Sequence, residues 1–172
     1  MLERNATVPL EKRIEFRIGI NVGDTGRLAS QAARLGQDDA TCAFSGRVLL
    51  GEPNIAITHF ARAARLNPLG PYLIHSQMGT GLAHFLAGRY VEARLWARKA
   101  LEHRPDFLNA LRLLAASSAL GGRTEEAEKT VQQLLRLNRT LRISDLKDVY
   151  PFHRPEDLAN LIEGLRTAGM PD

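Results

Sequence analysis

Five histidines, one cysteine and a pair of adjacent aspartates are the residues of this chain best suited to metal or nucleophilic chemistry. Zinc and related ions take His, Cys and carboxylate donors at short, regular spacings. His59, His75, His84, His103 and His153 include no His-x-x-x-His pair, so spacing yields no metal site. Cys42 has no histidine beside it in sequence, and lone cysteines are mostly buried and inert. As the single cysteine it also forms no internal disulfide. Asp38 and Asp39 read as caps for the helix that follows them. Asn21, Gly23 and Gly26 lack the Gly-Lys-Ser/Thr ending of a phosphate loop. Trp96 reads as a packed or partly exposed helix residue. The chemistry-bearing residues are dispersed, and the expectation is no metal, no cofactor and no catalysis.

The elements that would position any site come next. The chain has 172 residues, 44% hydrophobic and 24% charged, which suits one globular domain with a real core. No stretch of 18 apolar residues occurs, so no membrane span is expected. The N-terminus mixes Glu3, Arg4, Glu11 and Lys12 with few apolar residues, unlike a signal peptide. A cytoplasmic location is expected. The net charge is +4, but the arginines are scattered and no aromatic residues interleave with them. The basic residues therefore read as solvated helix faces, with no nucleic-acid partner.

One phrase occurs twice. Gly88-Arg89-Tyr90-Val91-Glu92-Ala93 returns 34 residues later as Gly122-Arg123-Thr124-Glu125-Glu126-Ala127. A 34-residue period marks the tetratricopeptide repeat, a helix–turn–helix unit that stacks into a solenoid. In the clearest repeat, 74–107, Gly81 and Ala93 take the small positions where two helices cross, and Tyr90 the aromatic position. Ala97 and Ala100 continue one face of the second helix, and Pro105 closes the unit. In 108–141, Ala115, Ala127, Val131 and Leu134 keep the frame, and Asn138-Arg139-Thr140 replaces the closing proline with a turn. The preceding unit, 37–70, shows Ala56, Phe60 and Ala63 on its second helix and Asn67-Pro68 at its end. Its turn is Gly51-Glu52-Pro53. Its first helix is interrupted by Thr41, Ser45 and Arg47, and three extra residues around Pro71 and Tyr72 precede the next unit.

The two ends differ. Arg27 to Leu35 reads as an isolated helix with the stripe Leu28, Ala32 and Leu35, stopped by Gly36. Residues 13–22 alternate Ile14, Phe16, Ile18, Ile20 and Val22 with polar residues, the period of a half-buried strand. Ser144 to Arg154 reads as a loop or short turn. Pro155 opens a last helix whose Leu158, Leu161, Ile162 and Leu165 form an apolar face, ending at Gly169. Its expected role is to cover the exposed face of the last repeat. The organisation is then 1–25 as an N-terminal tail, 26–141 as about three repeats, and 142–172 as loop and capping helix.

Two resemblances complete the reading. Residues 37–141 resemble tetratricopeptide repeats, which implies an all-α, right-handed superhelix of helix–turn–helix units with an N-terminal orphan strand. Arg13 to Asp24 resembles the Ile-Gly-Ile-Asn-x-Gly-Asp strand and turn of class III nucleotide cyclases. Leu69-Gly70-Pro71, His84 to Tyr90, Leu141 to Leu146 and Pro151 to Leu158 resemble the C-terminal half of bacterial proteins joining an adenylate/guanylate cyclase domain to such repeats. The metal-binding aspartates of a cyclase have no counterpart here. Ser30 to Leu35 faintly echoes the family's Asn-x-Ala-Ala-Arg-Leu but lies too close to Asp24, so Arg34 reads as repeat helix. No catalysis is implied, although a role in cyclic-nucleotide signalling is.

The resemblance also implies a site. In tetratricopeptide repeats the first helix of each unit lines a concave groove. Carried over, the groove residues are His75, Met78, Leu82 and Phe85 in one repeat and Asn109 and Arg112 in the next. Met78 and Phe85 suit an adaptable peptide contact, and Asn109 with Arg112 a carboxylate or carbonyl. Leu82 and Phe85 read equally well as inter-repeat core. His84 falls at an aromatic packing position. The implied partner is a protein or peptide. The alternative is association with a full-length cyclase, or homodimerisation, through the strand at 13–22.

Overall fold

The computed structural model describes residues 47–66 and 73–172. The expected strand at 13–22, the isolated helix at 27–35, Cys42, and Pro71 and Tyr72 of the insertion lie outside the described residues, as does most of the first helix of the 37–70 unit. Residues 47–49 are helical. They are followed by α1 (Pro53–Leu66), α2 (Leu73–Leu86), α3 (Tyr90–His103), α4 (Leu108–Leu120) and α5 (Thr124–Leu137). A 3-10 turn (Ile143–Asp145) leads into the short α6 (Leu146–Val149), and α7 (Pro155–Thr167) is the last helix. Every regular element among the described residues is helical.

The repeated phrase is a turn with one hydrogen-bond pattern. The Gly88 N–H donates to the Phe85 carbonyl (2.9 Å) and the Arg89 N–H to the His84 carbonyl (2.9 Å). The same pair recurs from Gly122 to Ala119 (3.0 Å) and from Arg123 to Ser118 (2.7 Å). It recurs again from Gly51 to Val48 (3.0 Å) and from Glu52 to Arg47 (3.0 Å). This closure satisfies the last carbonyls of a helix and needs a left-handed residue. Gly88 and Gly122 supply it at φ 73° and 74°, with open space where a Cβ would stand. Three turns of one geometry set α1, α3 and α5 as the second helices of successive units.

Consecutive helices pack on one another, α1 on α2, α2 on α3, α3 on α4 and α4 on α5, while α2 and α4 also touch. The small residues lie at the crossings. A Cβ on Gly81 would meet Leu113 Cδ2 at 2.8 Å, Trp96 Cβ at 3.1 Å and the Ala93 carbonyl at 3.2 Å. Ala93, Ala97, Ala100 and Ala127 are fully buried along the second helices. Leu111, Leu113 and Leu134 are closed off from solvent, Leu113 beside Gly81 of the preceding repeat; burying each contributes at most about 1.5–3 kcal/mol. Charge ties the repeats together at the surface: Glu126 accepts from Arg94 (3.3 Å) and from Arg98 Nε (3.0 Å), both on α3.

The C-terminal segment departs from its expected form. The region 144–154 contains the 3-10 turn and α6 as well as loop. Asp145 Oδ2 accepts from the Arg142 N–H (2.9 Å), and Leu146 is fully buried. The Asn138 turn forms as expected, its side-chain oxygen accepting from the Thr140 N–H at 3.0 Å. Helix α7 begins at Pro155 and closes at Gly169, φ 86°. Its principal helix partner is α4, the first helix of the last repeat, not α5. Of the two helices of the last repeat, the last helix lies against α4.

Candidate functional site

The six expected groove residues fall on two helices, His75, Met78, Leu82 and Phe85 on α2, and Asn109 and Arg112 on α4. Their surroundings differ. Phe85 is 2% exposed and packs on Tyr90 of the next helix, ring centroids 5.4 Å apart. Leu82 and Met78 are also buried. His75 is half-buried and sets its ring edge-on to Phe107 at 5.6 Å. Burial, and then the positive charge of Arg104, lower the His75 pKa below its ordinary value. Its neutral form is thereby favoured. Among the described residues no group of three or more His, Cys, Asp or Glu could hold a metal ion.

The polar end of the set is on α4. Arg112 donates from one terminal nitrogen to Asn109 Oδ1 (2.8 Å), one helical turn away. The residue is 4% exposed, and its Nε has no hydrogen-bond partner. No carboxylate among the described residues pairs with it. A buried guanidinium without a counter-charge is costly, and it is a strong donor for a planar acceptor.

That donor pair is covered. Tyr150, just beyond α6, sets its hydroxyl 3.5 Å from Asn109 Oδ1 beside the Arg112 guanidinium. Burial pushes the Tyr150 hydroxyl up to about 12 against the opposing pull of Arg112, so it stays protonated and neutral. Tyr150 stacks on Phe152 at 5.6 Å. From there the chain runs to the far end of the described stack, where the His153 N–H donates to the Leu49 carbonyl (2.8 Å). Helix α7 then returns along α4. A Cβ on Gly164 would lie 2.9 Å from the Ala116 Cβ and 3.0 Å from its carbonyl oxygen. The C-terminus is tied back by the Ile143 N–H donating to the Pro171 carbonyl (3.0 Å).

Sequence reasoning found Asn109 and Arg112 but neither Tyr150 nor the Gly164–Ala116 crossing. The crossing left two signals in the sequence. Gly164 interrupts the interior of an otherwise good helix, which costs stability unless something approaches closely. Helix α4 is apolar nearly all round, the pattern of a helix covered on every side. Residues Ala110 to Ala119 are all buried.

Residues 84–148 match the tetratricopeptide repeat family model. No curated protein matches the chain. The matched segment starts at the end of α2 and takes in α3, α4 and α5, ending in α6. The described chain thus has an all-α, tetratricopeptide-type repeat fold, and repeat stacks of this kind present extended surfaces for protein–protein interaction. No helix among the described residues is long and apolar enough to cross a membrane.

Proposed function

We propose that this chain is a protein-interaction scaffold whose ligand surface is the concave face carried by α2 and α4. The observation that carries this reading is Arg112. It is a buried cation with a fixed neutral partner, Asn109, and no acid among the described residues. A peptide carboxylate or backbone carbonyl would complete its coordination, while half-buried His75 offers a neutral ring nitrogen and Met78 and Leu82, nearly closed off, form an apolar floor. Phe85 supports the surface from beneath. The scaffold spans about three repeats within 26–141, with no catalysis of its own. A cytoplasmic, bacterial setting and descent from the regulatory half of a nucleotide cyclase belong to the same reading, supported by the resemblance of 13–24 and of the C-terminal phrases.

The test is affinity capture with the full chain as bait. Arg112→Gln and Met78→Ala are each expected to weaken the captured partners at least tenfold while the helical signal is retained. Binding unchanged in both variants would remove the concave face from consideration.

A second reading rests on the alternating apolar residues of 13–22. A strand edge seeks another strand. Through it the chain would associate with a full-length cyclase or with a second copy. Light scattering behind size-exclusion chromatography, with and without residues 1–25, separates the two. A dimer that becomes a monomer on deletion favours the strand; monomers in both cases favour the repeat surface.

A further inference from the structure

We infer that residues 150–170 are a built-in competitor, a strap that occupies the α4 half of the interaction surface and must swing away before a peptide partner reaches Asn109 and Arg112. The inference rests on the proposed concave surface; the strap itself rests on geometry alone.

Three observations converge. The strap covers the expected ligand positions: Tyr150 caps the Asn109–Arg112 pair, and Gly164 crosses Ala116 within contact distance. It follows the repeats in the chain and adds Tyr150, Leu161, Leu165, Ala168 and Met170 to their buried core. Its main helix contact is α4, and the packing of α2, α3, α4 and α5 among themselves does not pass through it. Its seam is imperfectly satisfied. The Tyr150 hydroxyl lies 3.5 Å from its acceptor, a long hydrogen bond, and Arg112 Nε has no partner. Asp157, in the first turn of α7, is 3% exposed, yet its Oδ2 makes no hydrogen bond, with Arg154 only at 4.0 Å. Leu161 and Leu165 hold the strap down through apolar contact. Apolar grip with poor polar completion suits an occupant that is displaced, because a better-matched ligand recovers the missing hydrogen bonds.

The form of the strap describes the ligand that would replace it. It is an extended stretch with an aromatic residue over the Arg–Asn pair, followed by a helix that presents glycine or alanine at the crossing with Ala116. A partner peptide of this form, with an acceptor in place of the Tyr150 hydroxyl, would meet Arg112 with a charge-assisted bond. Tethered to the same chain, the strap competes at an effective concentration of roughly millimolar, so weak trans binding is expected while it is closed.

The experiment uses the full chain and Gly164→Ala. The added methyl collides with the α4 backbone while favouring helix in α7 itself. Hydrogen exchange is followed residue by residue, and a fluorescein-labelled peptide with the sequence of residues 148–170 is titrated by anisotropy. The variant is expected to speed exchange of 150–170 at least tenfold, to leave α2 and α3 unchanged, and to bind the peptide at least tenfold tighter than the parent. Equal acceleration of every helix would overturn the inference by making the strap part of one cooperative fold. So would selective opening with peptide affinity unchanged. If Gly164→Ala does not fold, Tyr150→Ala, which uncovers Arg112 without adding bulk, is held to the same two readouts. Should the strap open and the peptide bind while Arg112→Gln leaves captured partners untouched, the partner surface fails and the strap stands.

Discussion

Helices α2 and α4 hold the same place in successive repeats, but they are buried to different extents. On α2, His75, Gln77, His84 and Leu86 remain partly open, and the buried residues break off between them. On α4 burial is unbroken from Ala110 to Ala119. The turns that follow them are the same, and each packs on a second helix of the same kind. The difference is α7, which lies on α4. One repeat frame thus carries a partly open face in one unit and a covered one in the next. Covering follows from a third element, not from the repeat.

The largest effect should separate the shared core from the strap. Leu113→Ala, at the repeat crossing beside Gly81, and Leu161→Ala, on the inner face of the strap, each remove a side chain 1% exposed. Each costs about 2–5 kcal/mol where it acts. Leu113→Ala is expected to lower the melting temperature of the whole chain. Leu161→Ala is expected to speed hydrogen exchange of 150–170 far more than that of α2 and α3. If both act on every helix alike, the contrast between repeat and strap disappears.

A smaller effect tests the sameness of the turns. Gly88→Ala and Gly122→Ala meet no atom within 4 Å, so their cost is conformational, about 1–2 kcal/mol. Chemical denaturation should give equal losses for the two. A much larger loss at Gly122 would mean that the strap depends on that turn as well.

Smaller still is the charge tie between repeats. Burial works against the Glu126 carboxylate, but the hydrogen bond and charge of Arg98, with the charge of Arg94, hold its pKa below the ordinary value. Glu126→Gln is expected to cost about 0.2–1 kcal/mol, less at high salt, because Arg98 is half exposed. An effect independent of salt would contradict a screened pair.

Acid should act on the two regions with opposite signs. His75 on α2 is held below 6.5 by burial and then by Arg104. Its contribution is complete above pH 6.5 and is lost as pH falls from there towards the lowered value. Asp157 on α7 is raised above 3.8 by burial, which outweighs the half-exposed Arg154; Glu156 adds to the rise. Its buried charge opposes closure above the raised value. That opposition is relieved as pH falls from the raised value to 3.8. Acid is therefore expected to loosen α2 through His75 and to tighten the strap through Asp157. Stability curves against pH for His75→Phe and strap exchange for Asp157→Asn should each lose their slope.

Much of the repeat was legible in the residues themselves. Gly88-Arg89 and Gly122-Arg123 mark left-handed turns because few other residues adopt that backbone, and Gly81, Ala93 and Ala127 mark crossings because only small side chains fit there. These are local requirements, met within a few residues of the position that states them. Asn109 and Arg112 were legible as neighbours because residues three apart share a helix face. The stripe of Leu158, Leu161, Ile162 and Leu165 likewise fixed that α7 buries one face. It carried no record of which helix would receive that face, since α4 and α5 both present apolar residues. That choice depends on the path of 138–154 and on the close approach of Gly164 to Ala116, contacts between residues far apart in the chain. The sequence by itself determined the helices, their turns and their period, because hydrogen bonding and side-chain size act locally. Only the tertiary structure decided that Tyr150 lies over the polar pair and α7 against α4, because burial is a property of what surrounds a residue in space.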